Sequence, residues 1–113
     1  MESTATIKNL RSTSRKACLV ADVVRGKNVG EALCLLEFSV NKKIAIDFAK
    51  LLKSAVANLQ SKHTDATIEV DELRVKEIRV NEGPVMKRFR PRAKGSASGI
   101  LKRMCHITVT VAN

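Results

Sequence analysis

The stretch GPVMKRFRPRAKGSASGIL, residues 83–101, decides how this chain folds. It has too few apolar residues to pack on a core, and Pro84, Pro91 and Gly95 interrupt any long regular ladder. The segments on either side alternate apolar and polar residues as strands do. If these strands continue outward as an antiparallel hairpin, each side has about nine residues and reaches roughly 30 Å at about 3.3 Å per residue. The sequence therefore predicts an extended arm that is held only at its base.

The flanking strands are predicted from apolar residues at every second position. Before the arm these residues form three pairs: Ile68 and Val70, Leu73 and Val75, Ile78 and Val80. The phase slips between the pairs, which indicates bulges or a strong twist. After the arm, Ile107, Val109 and Val111 alternate with His106, Thr108 and Thr110. The two runs predict partner strands. A shorter alternating segment, with Ala5 and Ile7 between polar residues, opens the chain.

Two helices are predicted between this opening segment and residue 40. Residues 12–14 are good N-caps, and apolar residues at helical spacing follow, which indicates a helix from about Ser14 to Arg25. Gly26 suits the residue after its end, and Arg25 is placed to meet the negative end of the helix. Asn28 and Glu31 have the spacing of a capping box for a second, short helix. Its expected buried residues are Val29, Ala32, Leu33 and Leu36.

The third predicted helix is the longest. Asn41 is its N-cap, and the pattern stops in the polar segment 61–65. One continuous apolar stripe lies along it, made of Ile44, Phe48, Leu51, Leu52, Ala55 and Leu59. The 113 residues leave no room for a second core. We therefore predict one α+β domain over residues 1–113, with three helices packed on a small antiparallel sheet and a long basic hairpin. Residues 1–82 and 102–113 form its globular part, and residues 83–101 form the arm.

Charge is distributed unevenly along the chain. The formal net charge is +10, and residues 83–113 hold seven of the 21 basic residues but none of the 11 acidic ones. Such an asymmetry indicates a polyanionic partner. Aromatic residues are only 3% of the chain, with neither Trp nor Tyr, which disfavours a protein that stacks single-stranded bases. Phe48 and Phe38 are expected in the core, and Phe89 lies in the arm.

Several classes of function are excluded by what the sequence lacks. No apolar run is long enough to cross a bilayer and the first residues lack an export pattern, so we expect a soluble protein. Three widely spaced cysteines, Cys18, Cys34 and Cys105, are expected to be small buried thiols in a reducing compartment. Neither histidine has a partner at metal or triad spacing, and the GSASG segment at 95–99 only superficially matches a nucleophile motif. We expect no enzyme activity, no metal and no cofactor.

Longer motifs point to a particular family. The run NEGPVMKRFRPRAKG (81–95), followed by ILKR (100–103) and CHITV (105–109), closely resembles the ribosomal protein L22 family of the large subunit, in its bacterial or organellar form. The segments SRKACLVAD (14–22), RGK (25–27) and AVAN (55–58) resemble the same family. The resemblance implies a structural protein that binds large-subunit rRNA, assists assembly and contacts neighbouring large-subunit proteins. It also implies a location in the ribosome, cytoplasmic or organellar.

The resemblance further implies that the hairpin tip lines the nascent-peptide exit tunnel and faces the passing polypeptide. Carried over by position, the tip consists of Met86, Lys87, Arg88, Phe89, Arg90, Pro91, Arg92, Ala93 and Lys94. Charge and resemblance together predict these rRNA-binding residues: Arg11, Arg15, Lys16, Arg25, Lys27, Lys87, Arg88, Arg90, Arg92, Lys94, Lys102, Arg103 and His106. For His106, a phosphate contact and a plain polar strand position both stay open.

Two alternatives also remain open on sequence alone. Lys42 and Lys43 at the start of the third helix oppose the helix dipole, and either an external phosphate or a plain surface role accounts for them. The basic arm also suits a free regulator that binds duplex DNA or messenger RNA.

Overall fold

A computed structural model describes residues 1–64 and 67–113. In chain order the elements are β1 (Glu2–Leu10), α1 (Ser14–Val24), α2 (Val29–Glu37), α3 (Lys42–Lys62), β2 (Arg74–Pro91) and β3 (Ala97–Ala112). Short 3₁₀ turns occupy Val70–Glu72 and Ala93–Gly95. The predicted polar end of α3 is confirmed at Lys62, and Asp65 of that segment lies outside the described residues.

The three strands form an antiparallel sheet in the order β1, β3, β2. The alternating segment at the start of the chain is β1, which pairs along β3 from Glu2 opposite Ala112 to Leu10 opposite Cys105. The three helices pack on this sheet, so the predicted α+β class is confirmed. None of the helices in the described ranges is both long and apolar enough to cross a membrane.

One face of the sheet and one stripe of each helix form the core. On β3 the fully buried side chains alternate as the sequence predicts, at Cys105, Ile107, Val109 and Val111. On α3 all six residues of the predicted stripe are buried: Ile44, Phe48, Leu51, Leu52, Ala55 and Leu59. Apolar residues repeat every 3.6 positions on the helix and every two on the strand, so each set lies on one face of its element. These two apolar faces pack against each other.

Bulges explain the slipped phase before the arm. The pairing of β2 with β3 shifts between Val75 and Glu77, so Val75 and Ile78 both face the core. A second shift lies between Glu82 and Val85, at the base of the arm. The expected strand at Ile68 and Val70 is wrong, because Val70 begins a 3₁₀ turn and β2 starts only at Arg74.

Other local expectations are also corrected. Phe38 is 83% exposed, because it follows the last residue of α2 and leaves the apolar face of that helix. Of the three cysteines only Cys105 is buried, and that burial raises the pKa of its thiol. Leu33 is only partly buried, and the side chain of Asn28 makes no capping hydrogen bond.

The arm extends well beyond the globule. Its strands stay paired from Val85 opposite Arg103 to Pro91 opposite Ala97. The molecule measures 67 × 26 × 16 Å with a radius of gyration of 17.3 Å, whereas a compact domain of this length has about 13 Å. At the tip, Lys94 and Gly95 have φ of 59° and 72°, and the amide of Arg92 donates to the carbonyl of Ser96 at 2.6 Å.

Candidate nucleic-acid interface

A concave pocket with a volume of about 530 Å³ lies where the starts of α1 and α3 meet residues 101–103 of β3. Six basic residues line it: Arg11, Lys16, Lys42, Lys43, Lys102 and Arg103. The remaining lining residues are neutral: Ser12, Thr13, Val40, Asn41, Ile44 and Leu101. We call this surface the basic concavity. It collects cations from three distant parts of the chain without a neighbouring carboxylate in its lining.

Local structure at the start of α1 positions the first pair of cations. The amide of Ser12 donates to the carbonyl of Leu10 at 2.8 Å, which turns the chain out of β1. Thr13 caps α1 by accepting a hydrogen bond from the amide of Lys16 at 3.3 Å. Arg11 and Lys16 therefore lie on either side of a fixed turn.

The start of α3 supplies the second pair. Asn41 occupies the N-cap but its side chain makes no capping hydrogen bond, so the first amides of α3 have no side-chain acceptor there. Lys42 and Lys43 add positive charge to a helix end that is already positive, without an acidic residue in the first turn. An anion in the concavity would relieve both costs.

Lys102 and Arg103 complete the basic concavity from β3. They pair with Met86 and Val85 in the first part of the arm beyond its basal bulge. The concavity is therefore continuous with the arm, and the two form one basic surface along the molecule.

Nothing within the described chain neutralises the arm. The ion pairs that form are Arg25 with Asp22, Lys27 with Glu31, Lys76 with Glu2 and Arg79 with Glu77, all in the globular part. The hydrogen bond from Lys76 holds the pKa of Glu2 below its usual range, and the one from Arg79 does the same for Glu77. Glu2 and Glu77 of the sheet are thus partnered locally, whereas the seven basic residues of 83–113 have no described carboxylate partner.

The arm carries cations on both faces, as its alternation requires. Arg88 and Arg90 lie on one face with Lys102 opposite Met86, while Lys87 lies on the other with Arg103. Arg92 and Lys94 belong to the tip turn. Arg88 folds along its own strand and donates to the carbonyl of Lys87 at 2.8 Å. All these side chains are exposed.

Arg25 and Lys27 differ from the other predicted rRNA-binding residues because the chain itself engages them. The guanidinium of Arg25 is 2.7 Å from Asp22 and also donates to the carbonyl of Ile78 at 3.2 Å, rather than meeting the end of α1. The ammonium of Lys27 is 3.8 Å from Glu31. Their loop is joined to β2, with Gly26 N donating to Val75 O at 3.1 Å. Both residues help hold the α1–α2 connection, and their contact with rRNA stays a prediction.

His106 and Arg15 lie outside the basic concavity. His106 Nδ1 accepts a hydrogen bond from the backbone amide of Asn9 at 3.1 Å, where β1 bulges and Asn9 has φ of 58°. A neutral imidazole that accepts at Nδ1 has its proton on Nε2, so only that N–H is left for an external acceptor. Arg15 is exposed on the first turn of α1.

The structure therefore unites four of the predicted rRNA-binding residues, Arg11, Lys16, Lys102 and Arg103, in one surface. It adds Lys42 and Lys43, whose function the sequence left open. Their unfavourable position at a helix N-terminus is visible in the sequence, but their meeting with the other four cations depends on the packing of the chain.

A small α+β domain that presents a six-cation concavity and an arm without acidic residues is a basic protein suited to a polyanion. The family model described as "Ribosomal protein L22p/L17e" matches residues 5–112. The chain belongs to this family, as its motifs predict, and is a structural protein of the large ribosomal subunit.

Proposed function

We propose that the chain binds large-subunit rRNA through the basic concavity and the arm, and that this contact supports assembly of the subunit. The observation that carries the proposal is the convergence of six cations from separate segments on one surface without an acidic lining residue. Like charges brought together repel one another, and closely spaced phosphates remove that cost while releasing their counterions.

Folded RNA fits this surface better than an isolated small anion. The basic concavity continues into the arm through Lys102 and Arg103, so the cations form an extended row rather than a single cluster. Contacts of this kind fix the position of a protein on a nucleic acid without reading its sequence. The globular part, residues 1–82 and 102–113, would then anchor on the rRNA surface while residues 83–101 reach between rRNA segments.

We also propose that the tip, residues 86–94, lines the nascent-peptide exit tunnel and contacts the passing polypeptide. Membership of the family supports this role, and so does the length of the arm. The tip exposes cations together with Phe89, whose side chain is 75% exposed, so it offers both charged and apolar surface to a peptide.

Incorporation into ribosomes tests the rRNA proposal. A Lys43→Gln/Lys102→Gln/Arg103→Gln variant removes three charges from the basic concavity, and a Lys8→Gln/Lys76→Gln/Arg79→Gln control removes three exposed charges elsewhere. After sedimentation of lysates at increasing salt, we expect the concavity variant to leave the large-subunit peak at lower salt than the control. Equal retention of the two variants would contradict the proposal. A wild-type chain that sediments slowly on nucleic acid free of ribosomes would favour a free regulator instead.

A further inference from the structure

A second concave pocket, with a volume of about 620 Å³, lies between α2 and α3. Its walls are apolar, formed by Leu33 and Leu36 of α2 and by Ala45, Ile46 and Ala49 of α3. Lys42, Lys50 and Lys53 lie on its rim, with Glu37 as the one acidic lining residue and Cys34 beside it. We call this surface the α2–α3 groove. Only Lys42 is shared with the basic concavity.

Exposed apolar side chains lie in the wall of the groove and in the segment that joins α2 to α3. Ile46 is 55% exposed in its wall, and Phe38 directly follows Glu37 and is 83% exposed. Val40 in the same connection is 96% exposed but lines the basic concavity rather than the groove. Single exposed apolar residues are ordinary, but an exposed isoleucine within the wall of an apolar groove is typical of an interaction surface.

We propose that the α2–α3 groove docks an amphipathic helix of a neighbouring large-subunit protein, whose apolar stripe is flanked by carboxylates. The stripe would bury against Leu33, Ile46 and Ala49, and the carboxylates would pair with Lys50 and Lys53. Residues 42–53 of α3 extend roughly 16 Å at about 1.5 Å per residue, which matches a helix of about three turns. The inference rests on membership of the large subunit and is independent of the proposed rRNA contacts.

Charge and polarity together favour a protein over rRNA at this surface. The rim carries three lysines and one glutamate, and this net positive charge favours a negatively charged occupant. A phosphate backbone would supply that charge but would leave the apolar walls in water, because its contacts are polar. An acidic amphipathic helix would cover the apolar walls with its apolar stripe and pair its carboxylates with the lysines on the rim.

Carbodiimide cross-linking of intact large subunits tests the proposal directly. We expect mass spectrometry to find Lys50 or Lys53 joined to an Asp or Glu in a segment of another ribosomal protein with apolar residues at helical spacing. A Lys50→Arg/Lys53→Arg variant keeps the charge but lacks the primary amines, and this cross-link should disappear from it. Cross-links from these lysines only to a second copy of this chain, or ultraviolet cross-links from the groove to rRNA, would overturn the proposal.

Alkylation of Cys34 provides a second, independent readout. Cys34 is exposed and lines the groove, so we expect its reaction with N-ethylmaleimide to be several-fold slower in intact large subunits than in the free protein. Ile46→Glu should restore the fast rate within subunits, and Ile46→Leu should not. Equal rates in free protein and wild-type subunits would overturn the proposal, even if Ile46→Glu failed to fold.

The two proposals fail separately. If the concavity variant is retained like its control while Cys34 stays protected in wild-type subunits, only the rRNA proposal is contradicted. If Cys34 is unprotected while the concavity variant is lost at low salt, only the docking proposal is contradicted.

Discussion

Ser3 is the buried polar residue that the described part of the chain leaves without a hydrogen-bond partner for its hydroxyl. It lies on β1 opposite Val111, within the apolar face of the sheet. Burying an unpaired hydroxyl costs free energy that an apolar group of similar size does not.

Ser3→Ala is therefore expected to raise the free energy of unfolding, by about 1 kcal/mol. Urea denaturation followed by circular dichroism measures the difference. Thr6→Ala is the matched control, because its hydroxyl is on the other face of the sheet and meets Thr108 at 3.4 Å. A loss of stability in Ser3→Ala would show that the hydroxyl is satisfied in solution.

Gly83 is packed too closely to accept a side chain. A Cβ there would lie 3.2 Å from Cε1 of His106 and 3.3 Å from the carbonyl carbon of Met104. Gly99, near the tip, has no atom within 4 Å of the equivalent position.

Gly83→Ala is expected to lower the free energy of unfolding by about 1 to 2 kcal/mol, since the backbone of β3 cannot move aside freely. It should also displace His106 from the amide of Asn9, visible as faster hydrogen exchange at Asn9. Gly99→Ala should leave both quantities nearly unchanged. Equal effects at the two positions would contradict the close packing at the arm base.

At the scale of elements, β2 and β3 each serve two purposes. Their inner halves carry the core residues Val75, Ile78, Ile107 and Val109, and their outer halves contribute none of the buried core. The bulge between Glu82 and Val85 separates the two parts. An isolated two-stranded ribbon is marginal in water, so the arm depends on the globule at its base and on its partner beyond it.

Deleting residues 85–98 is expected to leave the globular part folded, because no core side chain is lost. Thermal denaturation should give a cooperative transition close to that of the full chain, and the shortened protein should still enter large subunits. Peptide-dependent stalling of translation should change, because the proposed tunnel contact is gone. A deletion variant that fails to fold would contradict the division into globule and arm.

Regular periodicity made most elements predictable. The six-residue stripe of α3 and the alternation of β3 needed no tertiary information, since each repeats over several turns or pairs. The run at Ile68 and Val70 misled because two apolar residues at spacing two are too few to specify a strand, and Val70 begins a 3₁₀ turn instead. Phe38 was misplaced because apolar character does not reveal which side of a helix end a residue occupies.

The basic concavity could be predicted only in part. Arg11 and Lys102 were expected to contact rRNA from charge and resemblance, but their meeting with Lys43 depends on how α1, α3 and β3 pack. The α2–α3 groove was not predicted, because its walls combine buried, half-buried and exposed residues of two helices, and only the packing of these helices brings them together.

In the whole molecule, the uncompensated positive charge lies in the part of the chain that extends furthest from the core. The acidic residues stay within 1–82 and several of them pair with local cations, while the 67 Å long axis includes an arm of uncompensated positive charge. We expect binding to depend on where the cations lie, rather than on the net charge of +10.

The salt dependence of binding to large-subunit rRNA distinguishes the effect of cation position from that of net charge. Phosphate contacts from the seven basic residues of 83–113 would give a slope of log K against log salt on the order of −5 to −6, and contacts from Lys43 and the other helix cations of the basic concavity would make it steeper. Lys43→Gln/Lys102→Gln/Arg103→Gln should make that slope shallower by about 2 to 3, as three lost phosphate contacts require. The Lys8→Gln/Lys76→Gln/Arg79→Gln control should leave it nearly unchanged. The same change in slope for both variants would show that net charge, and not the basic concavity, governs binding.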